Sequence, residues 1–141
     1  MKLRRMSMVG VVVLGVVALA GCSKSAQEFK PGECLNGLLD ASTQVESLPV
    51  VGCDKEHEGE VYAVKKSTLD LYNMVAVGDE ADEYCLNEFK TYVGVDYMES
   101  TLFFTHLTPS SQSWSSGDRD IVCIVMPVED TTTGSLKGSN L

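Results

Sequence analysis

Asp120-Ile121-Val122-Cys123-Ile124-Val125-Met126 is the stretch that decides the fold. Six apolar residues follow one aspartate, without the alternation that a half-exposed strand shows. Continuous runs of this kind, rich in valine and isoleucine, are typical of a strand that is covered on both faces. The stretch therefore predicts a central strand with other layers packed against it.

One amphipathic helix is predicted upstream of this strand, from Asp79 to Gly94. Asp79 is a good N-cap, and the acidic residues after it suit the positive first turn of a helix. Gly94 fits a C-terminal cap. Apolar side chains recur at three- and four-residue steps and form one stripe, made of Ala81, Tyr84, Cys85, Phe89 and Tyr92.

Three shorter patterns predict further strands. Residues 101–108 are rich in β-forming side chains and end at Pro109, and residues 61–64 have polar flanks. Residues 48–51 contain Pro49, which cannot donate to a central ladder, so this strand is expected at an edge. The predicted fold class is α+β: a small antiparallel sheet with one principal helix packed on it.

The N-terminal residues resemble the leader of a bacterial lipoprotein. An uncharged apolar run, residues 6–20, follows three basic residues and ends in Leu19-Ala20-Gly21-Cys22. The run is shorter than the roughly 20 apolar residues that span a bilayer, so an uncleaved anchor is the weaker alternative. The resemblance implies that a diacylglyceryl group is attached to Cys22 and that residues 1–21 are then removed.

Two acyl chains bind a membrane much more firmly than one. We therefore expect a signal peptide at 1–21, a polar tether at 22–30 and a folded domain at 31–141, held on the extracellular face of the cell membrane. Without the basic residues of the leader, 8 Lys and Arg remain against 20 Asp and Glu, which gives a net charge of −12. Such a balance argues against binding to nucleic acid or to anionic headgroups.

Four cysteines remain once Cys22 carries lipid. An even count in an exported domain predicts two disulfides, for which three pairings are open. We prefer Cys34–Cys53 with Cys85–Cys123; the second bridge would then join the inner stripe of the helix to the central strand. Loop entropy puts their upper contributions at about 3 and about 4 kcal/mol. No Cys-x-x-Cys occurs, so neither a zinc site nor a redox site is predicted.

Several short signatures follow one another along the chain. They are Gly32-Glu33-Cys34-Leu35, Val51-Gly52-Cys53 with His57 and Glu60-Val61, Val77-Gly78-Asp79 ahead of Cys85, then Pro109, Trp114, Gly117-Asp118-Arg119, Cys123 and Thr133-Gly134-Ser135-Leu136. Together they resemble the septum-formation domain family of actinobacteria, small exported or membrane-attached modules with four cysteines. The chain departs from that pattern at Gly52 and Val77, where proline is expected. The resemblance implies an envelope protein associated with division and brings no catalytic residue, substrate or cofactor.

The two histidines are the candidates for chemistry. His57 lies among four acidic residues, which suits a metal ligand or a pH-sensitive contact. The alternative, which we favour, is a loop histidine that bonds the backbone beside a disulfide. His106 alternates with its neighbours in a strand, so it is expected to face solvent or to form a cross-strand pair. No serine lies in a nucleophile motif, so no catalytic residue and no metal ligand are predicted.

Trp114, Asp118 and Arg119 lie in a serine-rich connection before the central strand. Arg119 is expected to hold this loop by bonding carbonyls or a carboxylate. Alternatively, Trp114 and Arg119 anchor a binding surface, since these residue types dominate binding hot spots. The candidate surface comprises His57, Trp114, Asp118 and Arg119.

The sequence thus predicts a non-enzymatic, lipid-anchored module that binds an unidentified envelope or division protein and needs no cofactor. A small cell-wall-directed hydrolase or transferase that uses His57 or His106 is the alternative. A third hypothesis is a secreted structural domain that serves envelope integrity alone.

Overall fold

The structure, a computed structural model, describes residues 27–39 and 47–141. The predicted signal peptide and Cys22 lie outside the described residues, and of the predicted tether only residues 27–30 lie within them. Within the described ranges, no helix has both the length and the apolar character needed to cross a membrane.

Five strands in the described part of the chain form one antiparallel sheet. They are β1 (Cys34–Leu35), β2 (Val50–Val51), β3 (Gly59–Lys66), β4 (Phe103–Leu107) and β5 (Asp120–Met126). Their order across the sheet is β2-β1-β3-β5-β4. The helices are α1 (Met74–Val93) and the short α2 (Ser111–Ser115), with a 3₁₀ turn at Tyr97–Glu99. The predicted fold class is confirmed, and β2 is the edge strand that Pro49 indicated.

Strand β5 separates two apolar layers. Ile121, Cys123 and Val125 belong to the core beneath α1, whereas Val122 and Ile124 belong to a smaller cluster on the opposite face of the sheet. All five side chains are buried. The prediction from the uninterrupted apolar run, a strand with both faces covered, is therefore confirmed.

The N-cap of helix α1 lies six residues earlier than predicted. Its N-cap is Asn73, whose side-chain oxygen accepts hydrogen bonds at 3.0 Å from the backbone N–H groups of Val75 and Ala76. Asp79 lies inside the helix, so its assignment as N-cap was wrong; acidic residues favour the early turns of a helix without marking its first residue. The predicted C-cap is confirmed, because Gly94 is left-handed (φ 104°) and donates to the Lys90 carbonyl at 2.9 Å.

Both preferred disulfides are confirmed. Cys34–Cys53 joins β1 to the turn after β2, with 5.3 Å between the Cα atoms. Cys85–Cys123 joins the inner face of α1 to β5, with a Cα separation of 5.4 Å. The second bridge covalently connects the two main layers of the domain.

The segments before β1 and after β5 both attach to the sheet. The side-chain amide of Gln27 donates to the Leu48 carbonyl at 2.9 Å and accepts from the Leu48 N–H at 2.8 Å. After β5, the chain returns to β3 and α1: Thr132 and His57 exchange two backbone hydrogen bonds, each of 2.9 Å, and Gly138 donates to the Tyr92 carbonyl at 2.8 Å. These contacts bring residues 132–140 beside Glu60.

Candidate functional site

His57 is fully buried beside the first disulfide. Its Nδ1 lies 2.8 Å from the Lys55 carbonyl oxygen, and its backbone pairs with Thr132. The structure confirms the favoured interpretation, a loop histidine that bonds the backbone beside a disulfide. Its inclusion in a binding surface was wrong, because a side chain with no exposed area cannot contact a macromolecular partner.

Glu60 is a fully buried carboxylate that belongs to one of the quoted signatures but was not among the candidate site residues. It accepts hydrogen bonds from the Tyr92 hydroxyl at 2.5 Å, the Ser135 hydroxyl at 2.6 Å and the Leu136 N–H at 2.6 Å. Burial, and then the hydrogen bond to Glu60, raise the pKa of Tyr92 above its ordinary value. We call Glu60, Tyr92, Ser135 and Leu136 the Glu60 cluster; it fastens the C-terminal segment to β3 and α1.

Cys34, His57 and Glu60 place a sulfur, an imidazole nitrogen and a carboxylate oxygen within 4.8 Å of one another. Residue types alone would suit zinc. The Cys34 sulfur is bonded to Cys53, however, so it is not the thiolate that a metal requires. The Glu60 oxygens already accept three hydrogen bonds. This group therefore does not fit a metal site.

His106 pairs with the principal helix, across the layers of the domain. Its Nε2 lies 3.0 Å from Oδ1 of Asp82, so the expected cross-strand pair is replaced by a contact between β4 and α1. Its Nδ1 is buried and has no hydrogen-bond partner in residues 27–39 or 47–141. A histidine–carboxylate pair can orient a general base, but no hydroxyl nucleophile of the described residues is bonded to this ring.

The Trp114 loop is closed rather than exposed. Trp114 is only 7% exposed and lies between Tyr72, whose ring centroid is 5.7 Å away, and the Arg119 guanidinium, 3.6 Å from the indole centroid. Arg119 also donates to the carbonyls of Trp114 and Asp118 at 2.8 and 2.7 Å. The alternative in which Trp114 anchors a binding surface was therefore wrong, whereas the predicted role of Arg119 in holding the loop is confirmed.

A second ordered carboxylate, Glu80, joins α1 to the end of β3. It contacts the Lys65 ammonium at 2.7 Å and accepts from the Ser67 hydroxyl at 2.6 Å and from the N–H and hydroxyl of Thr68 at 2.9 and 3.0 Å. Burial acts to raise the pKa of Glu80, but these hydrogen bonds outweigh it and lower the pKa to about 2. The sequence offered no sign of this contact, because its partners are 12 or more residues away.

A groove of about 990 Å³ lies on the face of the sheet away from α1. Apolar side chains that line it include Phe29, Leu38, Leu48, Leu107, Val122 and Met126. Serine, threonine and glutamine side chains, many from residues 105–113, form much of its polar border. Its charged lining residues are Asp118 and Asp120, so of the four candidate surface residues only Asp118 borders the groove.

The sequence profile of a family described as septum formation matches residues 10–123. This match spans most of the chain. The chain belongs to the septum formation family. No curated protein and no solved structure shows significant similarity to it.

Septum formation family membership indicates a role related to septum formation, and the family is not a known enzyme family. The match contains all four disulfide cysteines and ends at Cys123, within β5. Ser135 and Leu136, which bond Glu60, lie beyond it. At Val77, where the resemblance predicts proline, the backbone N–H donates the first helical bond to the Asn73 carbonyl at 2.9 Å, which a proline could not do.

Proposed function

We propose that this protein is an exported, lipid-anchored envelope protein that contributes to septum formation by binding another envelope component. In this proposal, a diacylglyceryl group on Cys22 holds the domain at the extracellular face of the membrane. The domain itself performs no catalysis and acts through its position and its contacts.

The pairing of the four domain cysteines carries this proposal. Disulfides persist in oxidising compartments and are rare in the cytosol, so two bridges in so small a domain favour export. The fifth cysteine is Cys22, which ends the motif Leu19-Ala20-Gly21-Cys22. Lipid anchoring requires an exported domain that follows such a motif, which resembles the end of a bacterial lipoprotein leader.

The internal contacts of the polar side chains support a binding or structural role. The side chains of His57 and Glu60 both form hydrogen bonds within the domain. His57 contacts the Lys55 carbonyl beside the disulfide, and Glu60 binds Ser135 and Leu136 of the C-terminal segment. The apolar groove, by contrast, offers the kind of surface that a partner can cover.

The anchor is tested by cell fractionation with Cys22→Ala and, as a matched control, Ser25→Ala. We expect the wild type and the control in the membrane fraction and labelled with a fatty-acid analogue. The Cys22→Ala protein should carry no label and should keep residues 1–21, because removal of the leader follows lipid attachment. Its remaining cysteines should react with a thiol reagent only after reduction. Fatty-acid label on Cys22→Ala, removal of its leader at residue 21, or reactive thiols before reduction would contradict the proposal.

The role in septum formation is tested by depleting the protein in its own cells and restoring either the wild type or Cys22→Ala. We expect defective septa on depletion, full rescue by the lipidated protein and poor rescue by the unlipidated one. Normal septa after depletion would remove the division role.

A small cell-wall-directed hydrolase or transferase remains the second candidate, because His106 and Asp82 form a histidine–carboxylate pair. This candidate is tested by rescue with His106→Gln and His57→Gln, after checking by circular dichroism that each variant folds. Rescue by both folded variants is expected under a binding role, whereas loss of rescue by folded His106→Gln would favour the enzyme.

A further inference from the structure

Strand β4 ends the sheet on the side opposite β2. Natural proteins protect such edges with charged residues, proline, a bulge or a covering segment. Phe103-Phe104-Thr105-His106-Leu107 contains no lysine, acidic residue or proline, and its register with β5 is regular. The irregularity of this sheet lies between β3 and β5 instead. Strand β4 thus lacks the usual protection within its own residues.

The register of the sheet determines which backbone groups of β4 point outward. In an antiparallel pair, directly opposed residues exchange hydrogen bonds at every second position. The Ser67 N–H donates to the Arg119 carbonyl at 2.7 Å, which places the odd-numbered residues of β5 toward β3 and the even-numbered ones toward β4. Thr105 and Leu107, opposite Ile124 and Val122, therefore bond β5. The N–H and C=O groups of Phe104 and His106 face away from the sheet.

No backbone hydrogen bond from elsewhere in residues 27–39 and 47–141 reaches these outward groups. We call them the β4 edge. The groove borders the same strand, since Thr105 and Leu107 line it, and Phe103 on the same side is 53% exposed. A strand added at the β4 edge would place alternate side chains over the groove and the others beside α1.

Charge indicates which partner suits this edge. Asp82 lies on the helix side of β4, bonded to His106 yet 67% exposed, and Asp118 lies in the groove. Asp120 is paired with Lys66, but no Lys or Arg of the described residues pairs with Asp118. Residues 22–141 together also carry a net charge of −12. These charges attract a basic segment and oppose the approach of a second copy.

We propose that the β4 edge binds an extended, basic segment of a partner protein by strand addition, with alternate apolar side chains of that segment entering the groove. The inference rests on the proposed function only in treating the domain as a binding module; it does not need the lipid anchor. Main-chain hydrogen bonds to Phe104 and His106 supply affinity, and the groove and the two aspartates select the sequence.

The test selects binders from a display library of random peptides of about ten residues, long enough to form a strand, against protein produced from the complete chain. We expect the selected peptides to alternate apolar residues and to be rich in Lys and Arg. In residue-resolved amide exchange, the Phe104 and His106 amides should exchange fast in the free protein. A selected peptide should slow both. The Thr105 and Leu107 amides should be slow throughout.

Matched probes separate strand addition from nonspecific attraction. N-methylation of the alternate peptide residues that face β4 should abolish binding, whereas N-methylation of the intervening residues should not. His106→Pro removes one outward N–H and should weaken binding about tenfold, while His106→Ala keeps that N–H and should weaken it by about twofold at most. Both variants are checked for folding by circular dichroism, and the N-methylated probes decide the question if His106→Pro unfolds.

The inference would be overturned by failure of the library to yield basic alternating peptides, by equal binding of both N-methylated forms, or by slow exchange at Phe104 and His106 in the dilute free protein. Protection of these amides that increases with protein concentration would show a second copy at the edge and would also overturn it. None of these results bears on membrane attachment, so failure here is distinguishable from failure of the proposed function.

Discussion

The Glu60 cluster and the β4 edge differ in whether their polar groups have hydrogen-bond partners. At the Glu60 cluster, a buried carboxylate accepts three hydrogen bonds from α1 and the C-terminal segment. At the β4 edge, the backbone groups of Phe104 and His106 have no backbone partner in the part of the chain that the structure describes. A satisfied buried cluster holds a fold together and is costly to open, whereas a free edge can accept a ligand without disrupting anything.

The largest effect is expected at the Glu60 cluster. Glu60→Ala leaves the Tyr92 hydroxyl and the Leu136 N–H buried without an acceptor. Each such group costs about 1–3 kcal/mol, so the free energy of unfolding should fall by about 4 kcal/mol. Urea denaturation measures this change.

The matched control for this prediction is Glu56→Ala, an exposed carboxylate on the same loop as His57, which should change stability by about 0.5 kcal/mol or less. Equal effects of the two substitutions would show that Glu60 does not hold the C-terminal segment, and the contrast between the two regions would be lost.

Glu80 sharpens the comparison, because it is a well-bonded carboxylate that lies nearer the surface, with its side chain 14% exposed. Its pKa is lowered from 4.5 to about 2, so its stabilising effect is complete above pH 4.5 and is lost as the pH falls toward 2. Allowing for partial solvation, the loss should amount to roughly 2 kcal/mol. Thermal unfolding from pH 6 to about pH 2 measures it.

Glu80→Gln should flatten this acid dependence and lower stability at neutral pH, because the amide cannot replace the ionic contact with Lys65. Asp79→Asn, on the same helix but exposed, is the control and should keep the wild-type profile. If Glu80→Gln loses as much stability in acid as the wild type does, other carboxylates cause that loss.

The smallest effect is expected where α1 begins, beside the groove, which Tyr72 and Met74 help to line. Asn73→Ala removes the acceptor for two backbone N–H groups and should cost about 1 kcal/mol. Asp79→Ala should cost about half of that or less, because Asp79 is not the cap. A larger loss of stability for Asp79→Ala than for Asn73→Ala would show that Asp79 is the N-cap, as the sequence suggested.

Local signals explain what could be predicted from the sequence. The run at 120–126 predicted a strand buried on both faces, because successive side chains of a strand point to opposite faces and the residues after Asp120 are all apolar. The C-cap glycine and the apolar stripe of α1 are equally local. The N-cap was missed because the apolar residues Leu71, Met74 and Val75 near Asn73 are exposed and form no core-facing stripe, and the acidic run at 79–83 gave a stronger but less specific signal.

The candidate surface shows where such reasoning stops. Trp114 and Arg119 are residue types that suit either a binding surface or a packed loop, and only the contact between the indole and the guanidinium decided for the loop. His57 likewise could not be placed from its acidic neighbours. Its burial depends on Thr132, which is distant in sequence.

The sequence by itself determined the α+β class, the central strand, the main helix and the number of disulfides, because each depends on patterns over a few residues or on one count. Only the tertiary structure decided that Glu60 and Glu80 are structural carboxylates and that Phe104 and His106 present a free edge. Those properties arise when segments 12 to 76 residues apart meet, or when a strand lies last in the sheet order. Neither circumstance leaves a periodic trace in the chain.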